Sequence, residues 1–517
     1  MSPIKILWVD DEIALLKPHF LFLEGKGYQI TPCNNGQDAL LMIDDQIFDV
    51  VLLDENMPGL GGLETLNEIK LRSPDLPVIM ITKNEEEHIM EEAIGAKISD
   101  YLIKPVNPNQ ILLALKKLFQ HKNLIAEKTI VNYQQAFQRI SLSLSELETH
   151  EDWTEFYINM LYWEMELEEL EDLAMLEIFQ DQMKEANRLF SKFIENHYSS
   201  WIKDNSGPLM SHRLLKEKVF PLLKLEDQKT TLMLVIDNLR YDQWKVIAPI
   251  IEYYYQKEEE IAYYSILPTT THYARNAIFS GMMPSEMQKK YPEWWVNENE
   301  EGGKNLNEAE FLRAHMQRKN INSSLNYSKI TRLKAGKELS QSLHNYQNEG
   351  LVVVVYNFVD MISHAKTEME MIKELAPDNK AFRSLTLSWF KNSPLLEIIQ
   401  QAQKIGFNLV VTTDHGTINV DQAIEVKGTR DLSSNLRYKT GASLSYDQKS
   451  VMEVTAPEEM QLPGPNLNSK FIFARGQQYF VYQNHFNHYA NYYRNSFQHG
   501  GISMEEMIIP FVVMRPR

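Results

Sequence analysis

Five short apolar segments, separated by stretches of helical pattern, constrain residues 4–120 more than any other feature of this chain. The segments lie at residues 4–9, 28–31, 50–53, 78–81 and 101–103. Strand-like runs that alternate with amphipathic helices are typical of βα units, which pair into a parallel sheet. We therefore expect an α/β domain with a doubly wound sheet at the start of the chain.

Two further regions follow with different patterns. Residues 121–220 contain no Gly or Pro before Gly207 and repeat apolar residues at helical spacing, which predicts a bundle of amphipathic helices. Residues 221–517 return to an α/β pattern, with strands expected at 232–236, 351–356, 409–412 and 508–513. Such continuous apolar runs favour a mostly parallel sheet that is buried on both faces. We expect domains at 1–121, 122–205 and 206–517.

Composition and net charge limit the classes of protein to which this chain can belong. The single cysteine, Cys33, cannot form an intrachain disulfide, which indicates a reducing compartment. The chain enters a strand without a signal-like apolar stretch and has no run long enough to span a bilayer, so we expect a cytoplasmic protein that is not transmembrane. The net charge of −18 and the lack of a Lys/Arg-dense helix argue against a duplex DNA-binding domain.

The acidic run at 164–169 predicts a solvated helix face.

Polar side chains stand at the ends of the first-region strands. Asp10 and Asp11 follow the first strand, Asp54 the third, Thr82 the fourth and Lys104 the fifth. The carboxyl ends of parallel strands meet at one edge of a sheet, so these groups should converge. Clustered carboxylates repel each other unless a cation joins them, and hard oxygen ligands select Mg²⁺. Asp54 could then accept a phosphoryl group as a nucleophile, with Lys104 and Thr82 contacting it.

This region resembles the receiver domain of response regulators across residues 4–120. The residues that carry the resemblance are Asp10, Asp11, the run Asp54-Glu55-Asn56-Met57-Pro58-Gly59, Thr82, Tyr101 and Lys104-Pro105. The resemblance implies a flavodoxin-like (βα)5 fold and phosphorylation of Asp54 by a histidine kinase. It also implies Mg²⁺ held by Asp11, Asp54 and the Asn56 carbonyl, with Asp10 acting through water. Thr82 and Tyr101 would form the switch pair, the bond before Pro105 would be cis, and phosphorylation would favour a homodimer.

A second constellation of ligand-type residues ends the strands of the C-terminal region. Its members are Asp237, Asp360, His364, Asp414, His415 and His499. Since they fall at strand ends, one sheet edge can gather them. Three aspartates and three histidines offer mixed oxygen and nitrogen donors, which suit Zn²⁺ or Mn²⁺ better than Ca²⁺. Six side chains and a hydroxyl are enough for two metals.

A threonine run between the first two ligands offers a nucleophile. Thr269-Thr270-Thr271 follows a strand and a turn and begins a helical pattern, so a hydroxyl there could be activated by a metal. The same run could simply cap a helix, and Asp414-His415-Gly416 could be an ordinary turn. The metal interpretation rests on all six ligand residues falling at strand ends together.

This arrangement resembles the PglZ-type branch of the alkaline phosphatase superfamily over residues 206–517. The motifs are Asp237-Asn238, Pro268-Thr269-Thr270-Thr271 with Ser280-Gly281, Asp360 with His364, Asp414-His415-Gly416 and His499-Gly500-Gly501. The resemblance implies one metal on Asp237, Thr271, Asp414 and His415, and a second on Asp360, His364 and His499. Thr271 takes the nucleophile position, with Thr270 as the alternative.

The order of receiver, helical bundle and PglZ-type domain resembles the response regulators of type IX protein secretion. A threonine nucleophile resembles the phosphodiesterase branch of the superfamily, so we expect a phosphodiester substrate, nucleotide or oligonucleotide in nature. Candidate substrate contacts are Arg275, Lys427, Arg430, Arg437 and Lys439, although a solvated loop explains the last four as well. The alternatives are a phosphorylation-controlled scaffold that binds a secretion-system or sigma-factor partner, and a phosphomonoesterase.

Overall fold

The computed structural model describes residues 3–83, 98–170, 173–204, 206–224, 229–298, 300–369, 374–428, 434–441, 443–464 and 469–517. Within helices, the side chains of residues 120–128, 173 and 364–368 fall outside this description. The chain divides into two compact units, Met1–Asn132 and Tyr133–Arg517. Each unit is described by itself.

The first unit is built on a five-stranded parallel sheet. Its strands are β1 (Ile4–Val9), β2 (Tyr28–Cys33), β3 (Val50–Asp54), β4 (Val78–Thr82) and β5 (Asp100–Ile103). They lie in the order β2-β1-β3-β4-β5. The helices are α1 (Lys17–Glu24), α2 (Gly36–Asp45), α3 (Gly62–Arg72) and α4 (Pro108–Ser143), which continues beyond Asn132. The doubly wound fold expected from the sequence is confirmed.

Alternation along the central strands creates two cores in this unit. Ile6 and Trp8 of β1 pack on one face, and Leu7 and Val9 pack on the other. Because both faces are buried, the strands can be continuously apolar until they reach the polar carboxyl edge. That pattern explains why the sequence identified these strands well.

The second unit begins with a helical bundle. Its main helices are α5 (His150–Glu169) and α6 (Leu173–Asp204). Thr149 caps α5, since its hydroxyl accepts from the Asp152 amide at 3.2 Å and the Asp152 carboxylate accepts from the Thr149 amide at 2.8 Å. Trp153 of α5 stacks edge-on against Phe190 of α6. The bundle residues and one face of the C-terminal sheet share a single hydrophobic core.

The acidic run at 164–169 forms only part of the solvated face expected from the sequence, since Glu169 is exposed whereas Glu164 and Glu168 are not. Glu164 is buried and accepts a hydrogen bond from Asn379 at 2.7 Å, while Glu168 pairs with Arg383. Arg383 also lies 2.6 Å from Asp242. Burial is possible because each carboxylate has a basic or amide partner, which local charge density alone does not reveal.

A six-stranded sheet forms the centre of the C-terminal region. Its strands are β6 (Thr231–Ile236), β7 (Tyr255–Tyr264), β8 (Leu325–Ile330), β9 (Leu351–Tyr356), β10 (Asn408–Thr412) and β18 (Ile508–Pro516). The order is β7-β18-β10-β6-β9-β8. The four strands β10, β6, β9 and β8 are parallel, as expected, whereas β18 runs antiparallel to both of its neighbours.

Helices and small sheets surround this centre. The helices are α7 (Tyr241–Tyr254), α8 (Asn276–Ser280), α9 (Pro284–Lys290), α10 (Glu308–Arg318), α11 (Leu333–Ser342), α12 (Phe358–Glu368), α13 (Asn379–Lys391), α14 (Pro394–Ile405), α15 (Phe486–Tyr493) and α16 (Met504–Met507). The remaining strands are β11 (Ile418–Val420), β12 (Gln422–Val426), β13 (Tyr438–Gly441), β14 (Val451–Val454), β15 (Lys470–Ala474), β16 (Gln478–Tyr482) and β17 (Ser496–Gln498). Among the described residues, no helix is long and apolar enough to cross a membrane.

Candidate functional site

The receiver-type cluster lies at the carboxyl edge of the first sheet. Carboxylate oxygens of Asp10, Asp11 and Asp54 all lie within 4.8 Å of one another. Asp10 and Asp54 are buried and Asp11 is exposed. These distances allow one small cation to contact all three side chains, and oxygen-only donors suit Mg²⁺.

Lys104 supplies the positive charge at this edge. Its Nζ lies 2.9 Å from Asp10 Oδ2 and 2.9 Å from Asp54 Oδ1. Burial raises the pKa of Asp54, and Lys104 partly opposes that rise. The lysine therefore holds two carboxylates together that would otherwise repel each other.

The remaining receiver candidates are Asn56, Thr82, Tyr101 and Pro105. The Thr82 hydroxyl donates to the Glu55 carboxylate, a partner that the sequence analysis did not foresee. Tyr101 is 37% exposed and Asn56, two residues beyond Asp54, is exposed. The peptide bond before Pro105 is cis, as the resemblance implied.

The C-terminal cluster is built on the ends of two adjacent strands. β6 and β10 run parallel in register, with Val235 opposite Thr412, so the residues that follow them meet at the same edge. Ligand atoms of Asp237, Asp414 and His415 lie within 4.8 Å of one another. All three residues are buried. The sheet thus concentrates two carboxylates and an imidazole away from solvent.

The antiparallel strand explains how His499 reaches the same edge. Because β18 runs opposite to β10, the segment before β18 lies where the parallel strands end. His499 Nε2 lies 3.6 Å from Asp360 Oδ1, and its ring stacks on His415 with centroids 4.3 Å apart. Asp360 and His499 therefore adjoin the Asp237 group. The side chain of His364, the remaining ligand candidate, lies outside the described residues.

Thr271 brings a hydroxyl into this cluster. It begins a short π-helical turn, Thr271–Arg275, after the loop that follows β7. Its Oγ1 lies 3.2 Å from Asp237 Oδ1 and 3.2 Å from His415 Nε2. The hydroxyl of the alternative candidate, Thr270, is buried and makes no hydrogen bond to a described residue. The geometry thus distinguishes Thr271 from Thr270, which the sequence left as alternative nucleophile candidates.

Backbone contacts fix the orientation of the ligand-type groups. His415 Nδ1 lies 3.0 Å from the Gly416 carbonyl oxygen, so Nδ1 carries the proton and the lone pair is on Nε2. Asn238, in a left-handed conformation at φ 64°, donates its amide to Asp414 Oδ1 at 3.3 Å. Its side chain donates to Asp360 Oδ1 at 3.5 Å. Asn238 therefore links the two groups of candidate ligands.

Arg275 does not occupy the position expected of a substrate contact. Its Nη1 lies 2.7 Å from Asp237 Oδ2 and 3.5 Å from Asp414 Oδ2, and its Nε donates to Glu308 at 2.5 Å. The guanidinium is fully buried among these carboxylates, so it neutralises them instead of reaching a substrate phosphate. Burial disfavours the charged form of Asp237, but Arg275, His415 and His499 together hold the pKa of that carboxyl below its usual value.

Arg437 does not occupy the position expected of a substrate contact either. Its guanidinium is fully buried, donates to both Glu506 oxygens at 3.1 and 2.6 Å, and reaches the Gln478 carbonyl. Lys427 is half exposed and lies 3.5 Å from Glu425, so nothing places it at the threonine. Arg430 lies outside the described residues. Lys439 is buried, and this burial lowers its pKa to about 7.

A histidine–glutamate pair beside Thr271 was missed by the sequence analysis. His272 Nδ1 lies 3.2 Å from Glu298 Oε2, and the imidazole stacks on Trp295 with centroids 4.6 Å apart. Glu298 lies in a polar stretch of the sequence, residues 297–307. No sequence signal paired it with His272, because the contact depends on how that stretch folds back.

The comparison with family models decides the relationship of the C-terminal region. Residues 214–514 match the model described as the BREX system PglZ alkaline phosphatase-like domain. The chain belongs to this PglZ alkaline phosphatase-like family. The resemblance identified from the strand-end motifs is thereby confirmed.

Two further models match upstream of the PglZ-like domain. Residues 6–116 match the response regulator receiver domain, and residues 123–202 match the PorX response regulator linker domain. The chain is therefore a response regulator receiver joined through a PorX-type linker to an alkaline phosphatase-like domain. A receiver domain implies a kinase as phosphodonor.

Individual relatives match only part of this fusion. The transcriptional regulatory protein ZraR of Klebsiella oxytoca is 36% identical over 121 residues, which is 23% of this chain and 27% of ZraR. The alginate biosynthesis transcriptional regulatory protein AlgB of Pseudomonas putida is 33% identical over 122 residues, 24% of this chain and 27% of AlgB. The match thus spans about a quarter of each curated relative. Among solved structures, chemotaxis protein CheY4 of Vibrio cholerae is 28% identical with a TM-score of 0.22, covering 22% of this chain and 98% of CheY4.

Proposed function

We propose that this protein is a two-component response regulator, phosphorylated on Asp54, that controls a metal-dependent phosphodiesterase. The observation that carries the enzymatic part is the position of the Thr271 hydroxyl, 3.2 Å from both Asp237 and His415. A part-buried hydroxyl between a carboxylate and an imidazole, both oriented by other contacts, supports the role of a nucleophile.

The donor set fits two divalent cations. Asp237, Thr271, Asp414 and His415 would hold one, and Asp360, His364 and His499 the other. Asp414 Oδ2 is buried and accepts no hydrogen bond from a described residue, and burial together with Asp237 raises the pKa of Asp414. A cation would relieve both costs. Mixed oxygen and nitrogen donors favour Zn²⁺, with Mn²⁺ as the alternative, while the receiver cluster favours Mg²⁺.

The chain's own groups define the reaction geometry. When bound, such cations lower the pKa of a hydroxyl and offset charge on phosphoryl oxygens. The Thr271 hydroxyl can donate its one proton to Asp237 Oδ1 or to His415 Nε2, each 3.2 Å away. The His415 lone pair on Nε2 faces the same oxygen. Arg275 holds the outer oxygen of Asp237 and so keeps Oδ1 directed at Thr271.

A hydrolysis assay tests the enzymatic proposal. Purified protein loaded with Zn²⁺ should hydrolyse bis-p-nitrophenyl phosphate, and Thr271→Val should lose that turnover. Thr270→Val is the matched control, since it removes the neighbouring hydroxyl, and it should retain activity. If wild type turns over no faster than Thr271→Val, the catalytic proposal fails and a scaffold role is favoured. Faster cleavage of p-nitrophenyl phosphate than of the diester would indicate a phosphomonoesterase.

The regulatory part rests on the receiver cluster and the linker match. Phosphorylation of Asp54 by a histidine kinase is proposed to favour a homodimer through the Thr82–Tyr101 switch. Sedimentation with and without beryllofluoride tests this, and equal masses in both conditions would refute it.

The match to the PorX-type linker supports a role in type IX protein secretion, with a secretion-system or sigma-factor partner downstream. Secretion assays in a strain that carries Asp54→Asn would check that role. Normal secretion in that strain would count against it.

A further inference from the structure

A buried carboxylate, Glu308, lies directly behind the C-terminal cluster. Glu308 is the first residue of α10 and is 1% exposed. Its Oε1 accepts from Arg275 Nε at 2.5 Å. Arg275 Nη1 in turn lies 2.7 Å from Asp237 Oδ2 and 3.5 Å from Asp414 Oδ2. A single guanidinium therefore joins Glu308 to two of the candidate metal ligands.

Three other donors converge on the same carboxylate. Asn305 Nδ2 donates to Glu308 Oε1 at 3.2 Å, and Lys329 Nζ donates to Oε2 at 3.1 Å. The Tyr327 hydroxyl also donates to Oε2. Lys329 and Tyr327 both belong to β8, which runs parallel to β9. Donors on both oxygens fix the orientation of this carboxylate, and a buried charge is tolerated when it is paired in this way.

The helix that carries Glu308 also braces the turn that carries the threonine. The turn Thr271–Arg275 continues directly into α8. Glu308 holds Arg275 at the start of α8, and Arg318 of α10 donates to the carbonyl of Ser280 at its end. A brace of this kind depends on hydrogen bonds and packing, and it would work without a net charge.

Charge distinguishes Glu308 from an ordinary brace. The contacts described above join three carboxylates to two cations: Asp237, Asp414, Glu308, Arg275 and Lys329. One carboxylate is therefore in excess. The Lys329 side chain is 25% exposed, while the other four are at most 1% exposed. In such a buried group one unit of charge strongly changes the attraction for a divalent cation, because solvent screening is weak. Without Glu308, the two cations would cancel the charge of the two aspartates.

We propose that Glu308 is a positioning residue of the C-terminal metal site, where it holds Arg275 against Asp237 and supplies the excess negative charge that attracts a divalent cation. This inference rests on the metal site of the proposed function and identifies a residue that sets its affinity. Glu308 acts through Arg275, and Lys329 opposes it, because the ammonium offsets the charge of the same carboxylate.

The zinc affinity of the metal-free, full-length protein tests this charge role. A coloured chelator serves as the competitor, and excess Mg²⁺ occupies the receiver cluster. Glu308→Gln keeps the shape of the side chain and removes its charge, so the Kd for Zn²⁺ should rise about 10-fold, as for other outer partners of metal ligands. Lys329→Gln removes a cation from the same group and should lower the Kd below that of wild type. The double variant restores one excess carboxylate, so its Kd should lie between those of the single variants.

Glu310→Gln is the matched control. Glu310 lies on the same helix as Glu308, but its side chain is 42% exposed. Because solvent screens an exposed charge, the Kd of this control should stay within about 2-fold of wild type. An equal rise in Glu310→Gln and Glu308→Gln would overturn the proposal, since position would then have no effect.

The opposite signs expected for the two single variants separate charge from structural support. Weaker binding by both variants would overturn the charge role, because both residues would then only support the fold. If Glu308→Gln does not fold, Lys329→Gln decides alone: tighter binding supports the excess charge, and equal or weaker binding overturns it.

An unchanged Kd in Glu308→Gln would overturn the inference even if wild type hydrolyses diesters. If wild type binds Zn²⁺ without hydrolysing diesters and the Kd shifts as expected, the inference stands and the proposed catalysis fails. If wild type binds no Zn²⁺, the inference and the proposed metal site both fail.

Discussion

The two acidic clusters of this protein are built in the same way and differ in access. Each lies at the carboxyl ends of parallel strands, and each holds its carboxylates with one basic side chain, Lys104 in the first unit and Arg275 in the second. In the receiver cluster Asp11 is exposed and the Lys104 side chain is 18% exposed. In the C-terminal cluster Asp237, Asp414 and Arg275 are all at most 1% exposed.

The difference in access fits the two proposed functions, a phosphate switch and a metal-dependent hydrolase. A phosphoacceptor must meet a phosphodonor, release its product and exchange its cation, so its cluster has to remain open. A dedicated metal site gains from burial, because low local polarity strengthens the hold of charged ligands on the cation. Among the described residues, histidine joins only the buried cluster, so the two clusters offer different donor atoms.

The sharpest test of this comparison replaces one aspartate in each cluster with asparagine. Asp54→Asn should abolish phosphate incorporation from acetyl phosphate, because the acceptor oxygen is lost, and should leave the metal content of the C-terminal region unchanged. Intact-protein mass spectrometry and elemental analysis check both outcomes. Asp75→Asn, at an exposed aspartate of the same unit, is the control and should be phosphorylated normally. Phosphate on Asp54→Asn would break the assignment.

The reciprocal change, Asp414→Asn, should lower diester hydrolysis by at least about 100-fold, since even outer partners of a metal ligand can cost that much. Zinc content should fall with it, while phosphorylation of Asp54 continues. Steady-state kinetics and elemental analysis measure the effects, with the exposed Asp447→Asn as control. Retained zinc together with full activity would contradict the ligand role.

Replacing Arg275 and replacing Lys104 should lower the free energy of unfolding by different amounts. Arg275→Met leaves Asp237 and Asp414 buried without the guanidinium, so the metal-free protein should lose about 3–5 kcal/mol of unfolding free energy. Lys104→Met should lose only about 1–2 kcal/mol, because water can reach that edge. Urea titrations of both variants compare the two values. Equal losses would mean that the difference in burial has no energetic consequence.

The smallest expected difference concerns metal retention. Dialysis against a chelator should stop Asp54 phosphorylation first, because Mg²⁺ at an open cluster exchanges readily. Zinc should leave the buried cluster more slowly and diesterase activity should outlast phosphorylation. Parallel assays over the dialysis give the order, and simultaneous loss would argue that both clusters are equally open.

Much of the fold followed from the sequence because parallel strands carry a strong local signal. The first five strands and those at 232–236, 351–356 and 409–412 appear where expected, since buried strands must be apolar along their length. The direction of β18 could not be predicted, because an apolar run is the same in both directions. The packing of Glu164 and Glu168 against Arg383 was missed because Arg383 is far away in the chain.

The candidate site in the C-terminal region was likewise predictable from the sequence only in part. The sequence indicated which residue types end which strands, and it left Thr270 and Thr271 as alternatives. The structure alone showed that the Thr271 hydroxyl contacts Asp237 and His415. It also removed Arg275 and Arg437 from the substrate contacts by placing each against a buried carboxylate.

By itself, the sequence determined the α/β pattern, the two strand-end constellations and the family to which the chain belongs, because strand periodicity and ligand order are local properties. Only the tertiary structure decided which hydroxyl enters the cluster and which basic side chain neutralises it. Those facts depend on contacts between residues that are distant in the chain, and local pattern carries no information about such distances.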